Sequence, residues 1–120
     1  MANYNIMIIG DAKTARDMMK LSLEHEGYEV ENFAAGEAAL ARLREKEFTV
    51  VIIDFKINGI DGMEVLRIVK DLYPAIAVIM ITAFANLDVV TEAMREDAHD
   101  FFPKPVQMTA LKSSISRALP

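Results

Sequence analysis

The 120-residue chain contains no cysteine, which excludes disulfides and thiolate metal sites and fits a reducing compartment. Acidic residues outnumber basic ones, giving a formal net charge of −5, and no basic cluster is present, so direct nucleic-acid binding is not expected. No apolar run approaches the roughly 18 residues of a membrane-spanning helix, and the amino terminus lacks the basic stretch of a signal peptide. We therefore expect a soluble, cytoplasmic protein with no membrane contact.

The chain has the composition of one globular domain covering residues 1–120, with 52% apolar and 26% charged residues. Short apolar segments predict five strands, at residues 5–9, 28–33, 50–53, 76–81 and 100–102. The first, third and fourth are continuously apolar, as expected of strands covered on both faces. The second alternates apolar and acidic residues, which predicts an edge strand.

Apolar residues at helical spacing follow each predicted strand. The five stripes are Ala15, Met18, Met19 and Leu23; Ala39, Leu40 and Leu43; Val65, Leu66, Val69 and Leu72; Val90, Ala93 and Met94; and Met108, Leu111, Ile115 and Leu119. We expect the methionines on these stripes to fill the core. Five strand–helix units in a row predict an α/β domain, a parallel sheet with helices on both faces.

Four polar residues follow four of these strands, namely Asp11, Asp54, Thr82 and Lys104. Ligands of such sheets bind outside the carboxyl ends of the strands, where the strand order reverses. With the order 2-1-3-4-5, Asp11 and Asp54 would face each other at that point. Either aspartate alone would more often be a helix N-cap, and Lys104 alone a solvated lysine. Their coincidence at one sheet edge predicts a site.

This combination of side chains suits phosphoryl transfer onto a carboxylate. Two neighbouring carboxylates repel each other, and a Mg²⁺ ion relieves that repulsion. Asp11, Asp54 and the backbone carbonyl of Lys56 could supply the protein ligands of the ion. Lys104 provides a point charge for phosphate oxygens, and Thr82 provides a hydroxyl donor. In-line transfer would then produce an aspartyl phosphate at Asp54.

Four motifs jointly resemble one family over essentially the whole chain. They are Ile9-Gly10-Asp11, the stretch 54–62, Thr82-Ala83, and the stretch 100–105. The chain resembles a receiver domain of bacterial two-component response regulators, both the stand-alone receivers of phosphorelays and those attached to sigma-54 activators. The resemblance implies a doubly wound (βα)5 flavodoxin-like fold with the strand order 2-1-3-4-5.

The resemblance also implies residue roles: Asp54 as phosphoacceptor, Asp11 as direct Mg²⁺ ligand, Thr82 as switch hydroxyl, Lys104 as phosphate-binding lysine, Phe101 as aromatic switch, and a cis peptide before Pro105. The implied phosphoryl donor is a histidine kinase or a histidine phosphotransfer protein. The implied output passes through the face of the fourth helix, fifth strand and fifth helix to an effector domain or protein, or to a second copy in a homodimer. Such a chain catalyses at most its own modification and is not an enzyme in the turnover sense.

Departures from the family pattern carry their own predictions. Gly10 stands where the family usually has an acidic residue that acts through metal-bound water, so we expect weaker Mg²⁺ binding and slower phosphorylation. Asp97 stands where glycine usually ends the fourth helix. Lys56 and Phe84 lie two residues beyond Asp54 and Thr82, and we hypothesise that their bulk slows the attack of water on the acyl phosphate.

Two other classes of protein share this sequence pattern. The first is a pseudo-receiver, an interaction or dimerisation module that acts without phosphorylation, and Gly10 keeps this alternative open. The second is a flavodoxin-like redox protein, which shares the architecture. We discount the redox protein because Asp11 places an acid where a bound phosphate would lie.

Overall fold

The computed structural model describes residues 4–54, 61–83 and 86–120. Ten elements alternate along the chain: β1 (Asn5–Ile9), α1 (Lys13–His25), β2 (Glu29–Phe33), α2 (Gly36–Leu43), β3 (Val50–Asp54), α3 (Gly62–Leu72), β4 (Ala77–Thr82), α4 (Leu87–Arg95), β5 (Asp100–Pro103) and α5 (Met108–Ala118). All strand pairings are parallel, and the strand order is β2-β1-β3-β4-β5. The predicted doubly wound (βα)5 flavodoxin-like fold is confirmed.

The sheet separates two hydrophobic clusters because successive side chains of a strand point to opposite faces. Met7 and Ile9 lie in the cluster that α2, α3 and α4 cover. Ile6 and Ile8 lie in the cluster that α1 and α5 cover. The central strands are therefore covered on both faces, as their continuous apolar character predicted.

The strand ends differ slightly from the sequence prediction, and the difference bears on the site. The third and fourth strands each extend one residue further, so Asp54 and Thr82 are the last paired residues and not the first loop residues. The second strand is an edge strand as predicted, with Val30 buried and Glu29 exposed. The positions of Asp54 and Thr82 are thus fixed by the sheet itself.

Two helix termini carry local backbone signals, a glycine that ends α1 and an aspartate that caps α3. Gly27 follows α1 with φ +96°, and its N–H donates to the carbonyl of Glu24 at 2.9 Å. Asp61 caps α3, and its side chain accepts a hydrogen bond from the Glu64 N–H at 2.9 Å. The N-cap of α1 is Ala12, so Asp11 does not serve as the cap residue.

Asp97 follows the carboxyl end of α4 in the left-handed region, with φ 66°. This region favours glycine because a Cβ atom crowds the following carbonyl oxygen. Asp97, which stands where the family usually has glycine, therefore adopts the conformation that glycine prefers.

Some stripe residues predicted as core are exposed, and that part of the prediction is wrong. Met18 is 66% exposed, Leu72 58% and Met94 47%. In α1 the buried line runs through Met19 and Leu23, four residues apart, and Met18 lies about 100° away around the helix axis. The apolar stripes predicted the helices correctly, but α1, α3 and α4 each bury fewer of their stripe residues than expected.

A buried polar network joins α5 to the start of β5. Ser114 is fully buried, and its hydroxyl donates to Asp100 Oδ2 at 2.7 Å. The other carboxylate oxygen accepts from the Phe101 N–H at 2.9 Å, and the Arg117 guanidinium lies 3.5 Å from Oδ2. The carboxylate is thus satisfied by three donors on two elements.

None of the helices within the described ranges combines the length and the apolar character that crossing a bilayer requires.

Candidate functional site

Asp54 ends the central strand β3 and is a nearly buried carboxylate, 9% exposed. Its partner across the β3–β4 pairing is the apolar Ile81. A charge in such surroundings requires compensation from a nearby cation or hydrogen-bond donor. The ammonium of Lys104 provides it by donating to Asp54 Oδ2.

Lys104 reaches Asp54 because β5 lies two strands away and its chain turns back at the same edge. The backbone N–H of Lys104 donates to the carbonyl of Thr82 at 2.8 Å, which extends the β4–β5 pairing. The peptide between Lys104 and Pro105 is cis, as predicted from the resemblance. Thr82 is 1% exposed at the end of β4. Asp54, Thr82 and Lys104 therefore meet at one edge of the sheet.

Gly10, and not Asp11, lies directly opposite Asp54. The register pairs Ile9 with Ile53, and a Cβ built on Gly10 would lie 3.6 Å from the Cβ of Asp54 and 3.9 Å from its Oδ2. Asp11 is the next residue after Gly10 and is exposed. A side chain at position 10, where the family usually carries the additional acid, would therefore contact the Asp54 side chain.

Arg16 of α1 lies over this part of the site and was not predicted from the sequence. Its Nη1 donates to the carbonyl oxygen of Gly10 at 2.6 Å, and its Cγ would lie 3.6 Å from a Cβ at that position. Arg16, Gly10, Asp54 and Lys104 line a small cavity of about 50 Å³. The only sequence feature that could have indicated a role for Arg16 is the missing side chain at position 10. It leaves space that a long side chain from the first turn of α1 could cover.

Phe101 lies in β5 beside Met80 of β4 and is half-buried against the cluster under α2, α3 and α4. Its backbone is held by the Asp100 carboxylate. Lys56 was predicted to supply a metal-binding carbonyl, and Lys56 and Phe84 to shield the acyl phosphate from water. Both residues lie outside the described residues.

The donor set fits a Mg²⁺ ion that keeps most of its water. In the described part of the chain, no group of three or more acidic or histidine side chains is placed to hold a metal ion. Mg²⁺ needs only one or two protein carboxylates when water and phosphate oxygens complete its shell. Asp54 and the exposed Asp11, one residue after Gly10, could supply this number, and Gly10 has no side chain to contribute.

The fold and the contact between Asp54 and Lys104 at the carboxyl edge define a receiver-type α/β domain. The sequence profile of the response regulator receiver domain family matches residues 6–116. The chain therefore belongs to this family, whose members are signalling switches of two-component systems and not classical enzymes.

Curated relatives are bacterial transcriptional regulators of greater length. The chain is 31% identical over 115 residues to the transcriptional regulatory protein ZraR of Salmonella typhimurium, in an alignment covering 96% of this chain and 26% of that protein. It thus spans about a quarter of the length of the curated relatives it matches.

Solved receiver domains share the fold throughout. A CheY-like receiver domain protein from Methanospirillum hungatei superposes with a TM-score of 0.92 at 30% identity, covering 97% of this chain and 93% of that one. A receiver domain from Clostridium thermocellum gives 0.90 at 33% identity, covering 96% and 93%.

Proposed function

We propose that the protein is a phosphoacceptor switch in which Asp54 carries the phosphoryl group. The donor is a phosphohistidine of a histidine kinase or a histidine phosphotransfer protein. An oxygen of the Asp54 carboxylate attacks phosphorus, the bond between phosphorus and the histidine nitrogen breaks, and the histidine retains that electron pair. The observation that carries this proposal is the nearly buried carboxylate at the end of the central strand, held by Lys104.

Asp11, Asp54 and the backbone carbonyl of Lys56 would hold Mg²⁺. When bound, the ion would offset the repulsion between the two carboxylates and the incoming phosphoryl oxygens. Because position 10 carries no acid, a bound ion would lack one water-mediated partner. The affinity for Mg²⁺ is therefore expected to be low for a site of this kind.

The residues around Asp54 would convert phosphorylation into a change of packing. Lys104 exchanges its contact with the free carboxylate for a contact with phosphoryl oxygens, and the Thr82 hydroxyl donates to the same group. Phe101, half-buried beside β4, follows this movement between two packings. The α4–β5–α5 face then presents different surfaces in the two states to an effector domain, an effector protein or a second copy of the chain.

Intact mass measurement tests this function directly. The purified chain is incubated with Mg²⁺ and acetyl phosphate, whose acetate leaves as the carboxylate of Asp54 attacks phosphorus. We expect one added phosphoryl mass, absent in Asp54→Asn and retained in the control Asp71→Asn at the exposed carboxyl end of α3. Absence of the added mass at saturating Mg²⁺ would reject the phosphoacceptor function for this donor chemistry.

A pseudo-receiver is the second candidate, and Gly10 is the observation that favours it. Without the acid that lies next to Asp54 in related domains, the chain would act as an interaction or dimerisation module in a single state. It would then take up no phosphoryl group, and Asp54→Asn would leave partner binding unchanged.

A further inference from the structure

A small cavity lies between α1 and Asp54, on the side where Gly10 lacks a side chain. It measures about 50 Å³ and is mainly apolar apart from Asp54, Arg16 and Lys104. A cavity of this size exceeds the roughly 10–15 Å³ that a single water molecule requires. The space next to the acceptor carboxylate is therefore large enough for the oxygens of a group attached to it.

Arg16 lines this cavity, and one N–H group of its guanidinium has no hydrogen-bond partner in the described part of the chain. Its Nη1 is anchored on the Gly10 carbonyl, whereas its Nε is buried and makes no hydrogen bond. Buried N–H groups are nearly always paired, because leaving one without an acceptor is unfavourable. An unpaired guanidinium donor beside a cavity at an acceptor carboxylate points to a ligand with oxygen acceptors.

We propose that Arg16 is a second cationic contact of the phosphoryl group, in addition to Lys104; this inference rests on the proposed function. The guanidinium is a planar fork of donors that matches phosphate oxygens, and its stem is already positioned by the Gly10 carbonyl. Gly10 makes this contact feasible, because a Cβ at position 10 would lie 3.6 Å from both the Arg16 Cγ and the Asp54 Cβ and would occupy part of the space between them.

The charges of the described site residues predict how removal of Arg16 should affect anion binding and metal binding. Asp11 and Asp54 are balanced by Lys104 and Arg16, so these four groups are formally neutral before phosphorylation. A cation at position 16 attracts a phosphoryl group and repels Mg²⁺. Removing it must therefore weaken anion binding without weakening metal binding. A residue that only braces the structure would, on removal, weaken both.

Trifluoroberyllate, an analogue of the phosphoryl group on a carboxylate, is the probe. Its affinity at fixed Mg²⁺ is measured by fluorine NMR, and the Mg²⁺ affinity of the free protein is measured by calorimetric titration. The variants are Arg16→Met, Arg16→Lys and the control Arg44→Met, which removes an exposed arginine at the opposite sheet edge. We expect Arg16→Met to weaken trifluoroberyllate binding about tenfold, with Mg²⁺ affinity unchanged or raised. Arg16→Lys should weaken it less, and Arg44→Met should change neither.

Two results would overturn the inference: an unchanged trifluoroberyllate affinity in Arg16→Met, or a parallel loss of trifluoroberyllate affinity, Mg²⁺ affinity and thermal stability. If Arg16→Met does not fold, Arg16→Gln takes its place, with the same expectations. If the proposed phosphoacceptor function is wrong, the result is different, because even the unmodified chain would take up neither trifluoroberyllate nor a phosphoryl group.

Discussion

Gly10 lies beside Asp54 at the end of the β1–β3 pairing, and a Cβ added at Gly10 would make van der Waals contact with the Asp54 side chain. A Cβ at position 10 would lie 3.6 Å from the Cβ of Asp54, which is an ordinary van der Waals separation. The backbone at Gly10 does not lie in the left-handed region, so other residues can adopt it. A side chain can therefore begin at position 10 without displacing the Asp54 Cβ.

Gly10→Asp should raise the affinity for Mg²⁺ by about 10–100-fold, because it restores a carboxylate that can bind metal-bound water. Calorimetric titration measures the change. Gly10→Ala adds only the Cβ and serves as the control, with an affinity like that of the unmodified chain. An aspartate variant with the same affinity as the alanine variant would show that position 10 does not contribute to the metal site.

Asp97→Gly should stabilise the protein by about 0.5–1 kcal/mol, because glycine adopts a positive φ without the crowding of a Cβ atom. The residue has φ 66° at the end of α4. Urea unfolding measures the difference, and Asp97→Asn, which tolerates the same region, should be nearly neutral. Destabilisation by glycine would mean that the aspartate side chain makes a compensating interaction.

Much of the fold could be predicted from the sequence, because each strand and helix carries a local pattern. Gly27 and Asp61 mark helix boundaries through backbone chemistry that operates within four residues. The convergence of Asp54 and Lys104 could also be predicted, because parallel strands bring their carboxyl ends to one edge.

The parts that the sequence did not reveal depend on three-dimensional packing. Met18 is exposed because the sheet covers a narrower strip of α1 than the apolar stripe suggested. Arg16 belongs to the site because of its distance from Gly10, and an arginine in the first turns of a helix has no local signal that separates it from a solvated one. Register decides that Gly10, and not Asp11, lies opposite Asp54.

Ser114→Ala should destabilise the protein by about 2 kcal/mol, because it removes a hydrogen bond from a buried hydroxyl to the Asp100 carboxylate. Ser113→Ala provides a matched control one residue away on an exposed position, and it should change the free energy of unfolding by less than about 0.5 kcal/mol. Urea unfolding of both variants measures the difference. Equal effects would indicate that the α5–β5 network contributes little to stability.

The ion pair between Glu31 and Arg42 should make stability depend on pH. Hydrogen bonds from the Arg42 guanidinium lower the pKa of Glu31 below its ordinary value of 4.5 in the folded protein. A lowered folded-state pKa contributes stability above the unfolded-state value, and that stability is lost as the pH falls through the folded-state value. The stability difference between the unmodified chain and Glu31→Gln should therefore shrink as the pH falls below 4.5. A difference that stays constant there would contradict the assignment.

The most direct measurement locates the phosphoryl group on the chain. Borohydride reduces an acyl phosphate to an alcohol with loss of phosphate, which converts a phosphorylated aspartate to homoserine. After treatment with Mg²⁺ and acetyl phosphate, peptide sequencing by mass spectrometry should find homoserine at position 54 and nowhere else. Homoserine at another aspartate, or unmodified aspartate at position 54 in protein that has gained the phosphoryl mass, would contradict the account.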